Sequence, residues 1–353
     1  MKRKRLIASI SVLVVLCLCG IAGPKAAHWY IDNKAPNFRK EAVVYVYPDS
    51  KLEDVVNNIA DSASVIRRNS LDRMIAEKKV KDYIKPGRYV VKAEHSSVYV
   101  ARMLNNGWQT PTSLVLSGSM KNKGAIARKI ANQMMVDSAT VYAALNDNDL
   151  LKKYGFNSQN VFSLFIPDSY QMYWTASIED ILQKQKDAYD AFWTKERLDK
   201  AAKQNLSKEE VSIVASIVCG ETNYEPEMPS IAGVYLNRLR IGMKLQADPT
   251  VAYCFDYGLN RILLKHLEVD SPYNTYKYAG LPPGPICVPT KASLEAVLNP
   301  DRHGYLYFCA NADFSGTHKF AVTLNEHNRN AREFQAALNA RKYTLLPHSA
   351  FGT

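Results

Sequence analysis

The sequence has no CxxC pair, no glycine-rich phosphate-binding loop and no DNA- or RNA-binding motif. These absences argue against a structural zinc site, nucleotide chemistry and sequence-specific nucleic-acid recognition. The net charge of +11 does not by itself indicate a nucleic-acid partner, because the 45 Lys and Arg residues are spread along the chain. His318 and His327 do not have the spacing of metal ligands, so we expect satisfied structural histidines, no metal and no cofactor.

Cysteine is scarce, with six residues in 353. Two of them, Cys17 and Cys19, fall inside the first hydrophobic segment. The others sit in apolar surroundings, which favours buried free thiols, although an extracytoplasmic location would leave one disulfide among them open. These four are Cys219, Cys254, Cys287 and Cys309.

The N-terminus has the pattern of a membrane anchor. Residues 2–5 read KRKR, and residues 6–23 form an uncharged apolar run that ends at Pro24. A run of this length can cross a bilayer, and the positive charge before it favours a cytoplasmic N-terminus. A cleaved signal peptide is the alternative. We expect an uncleaved, single-pass protein of the inner (cytoplasmic) membrane whose remaining residues lie on the periplasmic or outer side.

A small βααβ module is predicted after a short linker. Residues 43–47 favour a strand, two helical patterns follow, and residues 84–91 favour a turn and a second strand. A short helix after it should end at Asn106-Gly107, a C-cap signal. This order resembles a LysM-like module, a fold that holds peptidoglycan glycans in other proteins. A spacer domain without a ligand is the alternative.

The predicted fold class is therefore α+β: one N-terminal transmembrane helix, a small LysM-like βααβ module and a larger mixed α/β catalytic domain. The length of 353 residues suits this organisation. In the larger domain, we expect one helix from Ser177 to about Lys200, begun by a capping box, and a buried strand at Tyr305–Cys309. The predicted segments are 1–24 (cytoplasmic tip and anchor), 25–41 (linker), 42–118 (module), 119–343 (catalytic domain) and 344–353 (tail).

The most informative run extends from Leu206 to Tyr253. Ser207 and Glu210 form a capping-box pattern, and apolar residues follow at helical spacing until Gly220. Glu221 is thus placed at the end of an apolar helix, where apolar neighbours and the helix carbonyl groups should raise its pKa. A protonated carboxyl group near neutral pH is what a general acid for a glycosidic oxygen requires. An exposed glutamate at a frayed helix end is the alternative.

Two later stretches supply candidate substrate contacts. Gln246 and Asp248 follow the helical part of this run. The Asp248 side chain is equally well explained as the N-cap of the next helix. From Ser271 the chain reads SPYNTYKYAGLPPGPICVPT, an irregular but rigid loop that suits a binding cleft. Its hydroxyl and amide groups, suited to sugar and N-acetyl groups, belong to Tyr273, Asn274, Thr275 and Tyr276.

Long ordered blocks carry a resemblance to a known family. The block ETNYEPEMPSIAGVYLNRLRIGMKLQADPTVAY is similar to the signature of the YceG-like (MltG) endolytic murein transglycosylases. The blocks IPDSY, SPYNTY, GLPPGPI and YLYF match in the same order, as does the ending with His318, Phe320, His327 and Asn328. The resemblance is strong from about residue 160 to 340. A Cys-Gly pair precedes Glu221 where charged residues are expected in some relatives.

The resemblance implies that Glu221 is the catalytic acid and then the base. The implied reaction cleaves the β-1,4 bond between N-acetylmuramic acid and N-acetylglucosamine of nascent glycan strands without water, and leaves 1,6-anhydro ends. A second carboxylate at hydrolase spacing is then not required. The implied partners are peptidoglycan glycan strands, penicillin-binding proteins and the membrane, with no nucleic acid. The alternative is a non-catalytic peptidoglycan-binding scaffold of the cell-wall synthesis complex.

Overall fold

The computed structural model describes residues 23–80 and 84–344, with the backbone alone for 342–344. Residues 23–33 form a helix, α1. No helix within these ranges is both long and apolar enough to cross a bilayer. The predicted anchor at residues 6–23 lies, except for Gly23, outside the described residues, as does the predicted tail after Thr344.

The chain divides into two compact units. The first contains the described residues up to Ser113 together with Gln171–Ala176, and the second contains Leu114–Tyr170 and the described residues from Ser177 onward. The sequence had assigned Gln171–Ala176 to the larger domain. Within the first unit, the buried Trp174 lies against Tyr45 and Tyr47, with ring centroids 4.9 and 5.0 Å apart, and these aromatic contacts connect the segment to that unit.

The first unit has the predicted β-α-α-β order. Strand β1 (Ala42–Val46) pairs antiparallel with β2 (Gly87–Val91), and Val44 lies opposite Tyr89. Two helices connect the strands, and a third follows them: α2 (Leu52–Ser62), α3 (Arg68–Glu77) and α4 (Ser97–Asn106). Helix α4 ends as the Asn-Gly signal predicts, because Gly107 adopts the left-handed conformation (φ 65°) that favours glycine.

The second unit is mainly helical. Strands β3 (Thr112–Leu116) and β4 (Asp168–Met172) form a two-stranded sheet, and β5 (Tyr307–Ala310) pairs antiparallel with β6 (His318–Ala321). Short 3-10 segments occur at Val161–Leu164, Glu225–Glu227 and Leu264–Glu268. The α-helices are α5 (Lys123–Ala131), α6 (Ser138–Ala144), α7 (Asn148–Lys152), α8 (Ile178–Phe192), α9 (Lys195–Lys203), α10 (Lys208–Glu221), α11 (Met228–Arg240), α12 (Asp248–Cys254), α13 (Lys291–Leu298) and α14 (Leu324–Thr344).

Two predicted elements need correction. The single helix expected from Ser177 is two helices, α8 and α9, because the Thr194 side chain accepts a hydrogen bond from Arg197 N and starts a new helix. The capping box that begins α8 is present, with Asp180 at its third position. The strand expected to be buried at Tyr305–Cys309 is β5, which is only half-buried because it pairs with β6 alone.

Helix α10 is the centre of the second unit. Its capping box at Ser207 and Glu210 is formed as predicted, and every residue from Val211 to Val218 is buried. The helix packs against α11, α12 and α13, and burial of each large apolar side chain contributes about 1.5–3 kcal/mol. Because α10 is buried along this length, the carboxyl group of its last residue, Glu221, is the polar group that follows the buried stretch.

Candidate active site

Glu221 is the last residue of α10 and lines a cleft of about 520 Å³. The preceding residue fixes its surroundings. A Cβ atom on Gly220 would lie 2.6 Å from Pro249 Cβ, so only glycine lets the start of α12 approach this closely. Asp248, next to Pro249, also lines the cleft. The close approach of α10 and α12 therefore brings two carboxyl groups to one site.

Tyr235 of α11 binds the Glu221 carboxyl group directly. Its hydroxyl donates a hydrogen bond of 2.5 Å to Glu221 Oε1, and its ring is buried against Phe308 with the centroids 6.0 Å apart. Because a buried ring cannot change its direction freely, this bond fixes the orientation of the acid. Burial, and then proximity to the Glu221 carboxyl group, raise the pKa of Tyr235 well above its ordinary value, so the phenol remains a donor.

Burial raises the pKa of Glu221 to about 7. The residue is partly accessible from the cleft, yet protein atoms surround its carboxyl group densely enough to disfavour the charge. The Tyr235 hydrogen bond and the positive charge of Arg238 oppose this rise, while the negative charge of Asp248 adds to it. The sequence predicted the direction from apolar neighbours and the helix end; the contribution of Asp248 was not foreseen.

Arg238 is a buried cation near this site. Its guanidinium group donates to three backbone carbonyl oxygens, those of Leu306 (2.6 Å), Leu245 (2.6 Å) and Lys244 (3.3 Å). It also lies over the Tyr307 ring, 5.2 Å from the centroid. Burial lowers the pKa of this arginine, but not to a range in which a guanidinium loses its proton. The site therefore contains a fixed positive charge that favours ionised Glu221.

Asp248 does not cap α12. It is the first residue of that helix, and the N-cap position belongs to Ala247, which provides no side-chain cap. Its carboxylate instead accepts a hydrogen bond of 2.5 Å from the Tyr276 hydroxyl. Tyr276 thus reaches the site through Asp248, and it does not line the cleft itself.

Asn274 and Thr275 are fully buried and support the loop. The Asn274 amide donates to Leu267 O and Val269 O at 2.8 Å, and its oxygen accepts from Tyr276 N. Thr275 Oγ1 accepts from Ala247 N at 3.0 Å. These bonds occupy the polar groups that the sequence suggested for N-acetyl recognition. Their observed contacts hold the loop to the segment that carries Asp248.

Gln246 and Tyr273 also lie outside the cleft lining. Gln246 is exposed and has a positive φ of 47°, which is unusual for a residue with a side chain. Its N–H donates to Thr275 O at 3.1 Å, so the turn connects the two segments. The Tyr273 ring packs against Tyr253 at an angle of 45°, with centroids 4.6 Å apart. Of the seven predicted site residues, Glu221 and Asp248 line the cleft, and substrate contact by the other five stays a prediction.

Other residues form the rest of the cleft. The loop after β3 contributes Gly118, Ser119, Met120 and Lys121, and Met120 O accepts a hydrogen bond of 3.1 Å from Val288 N. The exposed Lys121 ammonium lies 5.3 Å from the centroid of the Tyr257 ring. Sequence reasoning missed these residues, since their only signal is a polar loop after a strand. The remaining lining includes Cys219, Thr222, Asn223, Cys287 and Thr290.

The two C-terminal histidines have different surroundings. His318 is satisfied as expected, because its Nδ1 and backbone N–H each lie 2.8 Å from a Glu227 carboxyl oxygen. His327 stacks on Tyr307, and its buried Nδ1 has no hydrogen-bond partner, contrary to the expectation. Within the described part of the chain, no cluster of three or more His, Cys, Asp or Glu residues has the arrangement of a metal site.

The chain is similar in sequence to known proteins. An endolytic murein transglycosylase of Bacillus subtilis is 35% identical over 234 residues, which are 61% of this chain and 63% of that protein. An endolytic murein transglycosylase of Streptococcus pneumoniae is 25% identical over 358 aligned residues, covering 92% of this chain and 64% of that protein. The chain spans slightly less than two thirds of the length of these relatives.

A crystal structure of a YceG-like protein from Listeria monocytogenes has the same fold, with a TM-score of 0.55 and 28% sequence identity. The match covers 82% of this chain and 98% of that structure. The sequence model of the YceG-like family matches residues 44–333, which is well over half of the chain. The chain therefore belongs to the YceG-like family.

Proposed function

We propose that this chain is an endolytic murein transglycosylase that cleaves the β-1,4 bond between N-acetylmuramic acid and N-acetylglucosamine with formation of 1,6-anhydro ends. The observation that carries the proposal is the Glu221 carboxyl group, which lines a cleft and has its pKa raised to about 7 by burial. Such a group is protonated in a large fraction of molecules near neutral pH and can donate its proton to a glycosidic oxygen. The names of the relatives agree with this chemistry.

In the proposed mechanism, Glu221 acts twice. It first protonates the leaving oxygen, and positive charge develops at C1 of the muramic residue. The resulting carboxylate then removes the proton from the C6 hydroxyl of the same sugar, which attacks C1 and closes the anhydro ring. Tyr235 keeps the carboxyl group in place through its 2.5 Å hydrogen bond, and Arg238 and Tyr235 favour the carboxylate that the second step needs.

Asp248 takes the role of an electrostatic partner. Its carboxylate lines the same cleft and is oriented by Tyr276, so negative charge is available to stabilise the oxocarbenium-like centre. A second carboxylate also permits a different reaction, in which Asp248 activates water and the enzyme is a hydrolase. The sequence had suggested that Glu221 acts alone, and the presence of Asp248 in the cleft makes the product the deciding measurement.

The test is the mass of the glycan ends. Purified glycan strands are digested with the full chain, and mass spectrometry distinguishes anhydro-muramic ends from reducing ends, which contain one more water. We expect anhydro ends from the wild type and no product from Glu221→Gln. The matched control is Glu225→Gln, which changes an exposed glutamate outside the cleft and should remain active. Reducing ends would show that the enzyme is a hydrolase and not a lyase.

A non-catalytic scaffold makes a separate prediction. It would bind glycan strands with unchanged affinity in the wild type and in Glu221→Gln, and neither protein would release product. Product formation by the wild type that depends on Glu221 excludes it.

We also propose a single-pass anchor in the cytoplasmic membrane, with the catalytic unit on the outer side. The apolar run at residues 6–23 supports the anchor. Protease added to intact spheroplasts should degrade the catalytic unit, and its protection would reject the topology.

A LysM-like role for the first unit is supported by its β-α-α-β order. Pull-down with glycan strands should recover less protein when that unit is deleted.

Penicillin-binding proteins are the proposed partners, since a terminator of glycan elongation would act where new strands emerge. Crosslinking in intact cells should recover such a synthase with the full chain. A strain without the protein should have longer glycan strands, and unchanged strand lengths would contradict the role.

A further inference from the structure

Two of the cysteines, Cys219 and Cys287, lie in the same cleft. Both line the same cavity as Glu221, and each is close enough to the other to shift its pKa. The backbones that carry them are held side by side: Ile286 N donates to Ser216 Oγ at 3.0 Å, and Cys287 Sγ lies 3.4 Å from Ser216 O. Cys254 has a different contact, with its sulfur 3.2 Å from Thr250 O, and Cys309 lies on β5.

The two thiols differ in pKa and in exposure. Hydrogen bonding to Cys287 is the largest of the causes that lower the pKa of Cys219 to about 7, and the backbone at Thr290 and the charge of Lys121 act in the same direction. Hydrogen bonding to Cys219 and burial raise the pKa of Cys287, so that thiol keeps its proton. Cys219 is half-buried, whereas Cys287 is only 5% exposed. One accessible thiolate beside one buried thiol is the arrangement of an attacking and a resolving cysteine.

We propose that Cys219 and Cys287 form a redox-active dithiol that a disulfide donor, either a protein or a small molecule, converts to an intramolecular disulfide in the cleft. The Cys219 thiolate attacks one sulfur of the donor and releases the other as a thiol after protonation. The Cys287 thiol then loses its proton, attacks Cys219 Sγ and releases the second donor thiol. The dithiol loses two electrons and two protons, and the donor disulfide is reduced to two thiols.

Cys287 Sγ already lies against the backbone of α10, at Ser216, about one turn before Cys219. To form the bond, the two sulfur atoms must approach to about 2.05 Å. Helix α10 is fixed at this point because Gly220 packs directly on Pro249. The movement therefore falls to the two cysteine side chains and to the loop that carries Cys287. The proposal extends beyond the proposed catalytic activity and does not depend on it.

The crosslink would join the end of α10 to the loop before α13. It closes a chain loop of roughly 70 residues, for which the loss of unfolded-state entropy is large. For a unit of this size we expect the melting temperature to rise by about 5–10 °C on oxidation. The segment stabilised in this way is the one that ends in Glu221.

The test uses the full chain in detergent, treated with oxidised glutathione or with dithiothreitol. Free thiols are then blocked with N-ethylmaleimide, and the digested protein is mapped by mass spectrometry. We expect one linked peptide pair containing Cys219 and Cys287 after oxidation, with Cys254 and Cys309 alkylated. In the reduced protein, Cys219 should react with N-ethylmaleimide at least tenfold faster than Cys287.

Variants separate this pair from the other thiols. Cys219→Ser and Cys287→Ser should each abolish the rise in melting temperature, and Cys254→Ser and Cys309→Ser should retain it. Alkylation of both Cys219 and Cys287 at every concentration of oxidant would overturn the proposal. A stable glutathione adduct on Cys219, or a linkage to Cys254 or Cys309, would also overturn it. The mapping on the wild type gives the answer even if a variant fails to fold.

Discussion

Replacement of Glu221 by Gln should remove the activity and stabilise the fold at alkaline pH. Glutamine has nearly the same shape and keeps an oxygen that can accept the Tyr235 hydrogen bond, so the cleft should retain its structure. What changes is the charge. The buried carboxyl group of the wild type must ionise at a position where burial disfavours the anion, and the amide never ionises.

The size of the effect follows from the pKa. Burial raises the pKa of Glu221 from 4.5 to about 7, and a pKa difference of one corresponds to about 1.4 kcal/mol, so the full penalty is about 3 kcal/mol. Below about pH 4.5, the group is protonated in the folded and the unfolded state, and no penalty applies. As the pH rises toward 7, the unfolded chain releases the proton first, so the stability of the wild type falls. Above about pH 7, the penalty is complete.

The measurement is the free energy of unfolding in urea at pH 4, 5, 6, 7 and 8, followed by tryptophan fluorescence. The difference between Glu221→Gln and the wild type should grow by about 3 kcal/mol across this range in favour of the variant. Other titrating groups are common to both proteins and cancel in the difference. Glu225→Gln, at an exposed position, is the matched control for the loss of one glutamate. A constant difference for Glu221→Gln would refute the buried, protonated acid.

Three further changes test the surroundings of the acid. Tyr235→Phe removes a hydrogen bond that lowers the pKa of Glu221, so kcat/KM should fall about tenfold and its alkaline limb should move to higher pH; an unmoved limb would contradict the assigned contact. Asp248→Asn removes a negative charge that raises the same pKa, and the limb should move to lower pH in a pH–rate profile. Gly220→Ala places a Cβ atom 2.6 Å from Pro249 Cβ, which should lower the free energy of unfolding by about 1–3 kcal/mol in urea titrations and reduce activity; a more stable, fully active variant would show that the close approach is dispensable.

Local signals predicted the elements that depend on nearby residues. The capping boxes at Ser177 and Ser207 and the apolar spacing of α10 are formed by side chains within a few positions of each other, and α4 ends at a glycine that follows it directly. These patterns are sufficient to predict that Glu221 lies at the end of a buried helix. The break between α8 and α9 was missed because Thr194 looks like an ordinary helical position until its capping bond is seen.

Long-range contacts determined what the sequence could not predict. The sequence named Asp248 as a candidate site residue, but nothing in the spacing of Gly220 and Pro249 shows that α10 and α12 touch, so its position beside Glu221 could not be derived. The loop from Ser271 looked like a source of sugar contacts because Asn274 and Thr275 are polar. Both are buried, and their polar groups bind the protein itself. Polarity in a sequence does not distinguish a group that faces a ligand from one that holds a loop.

In the proposed reaction, Glu221 must act first as an acid and then as a base, and neither burial alone nor hydrogen bonding alone would allow both. An acid that is only buried would remain protonated and would be a poor base in the second half of the proposed reaction. An acid that is only hydrogen-bonded to donors would be ionised and could not protonate the leaving oxygen. Burial and Asp248 favour the neutral form, whereas Tyr235 and Arg238 favour the carboxylate. Because these opposing contributions hold the pKa near 7, the same carboxyl group can release and recover a proton at modest free-energy cost in either direction.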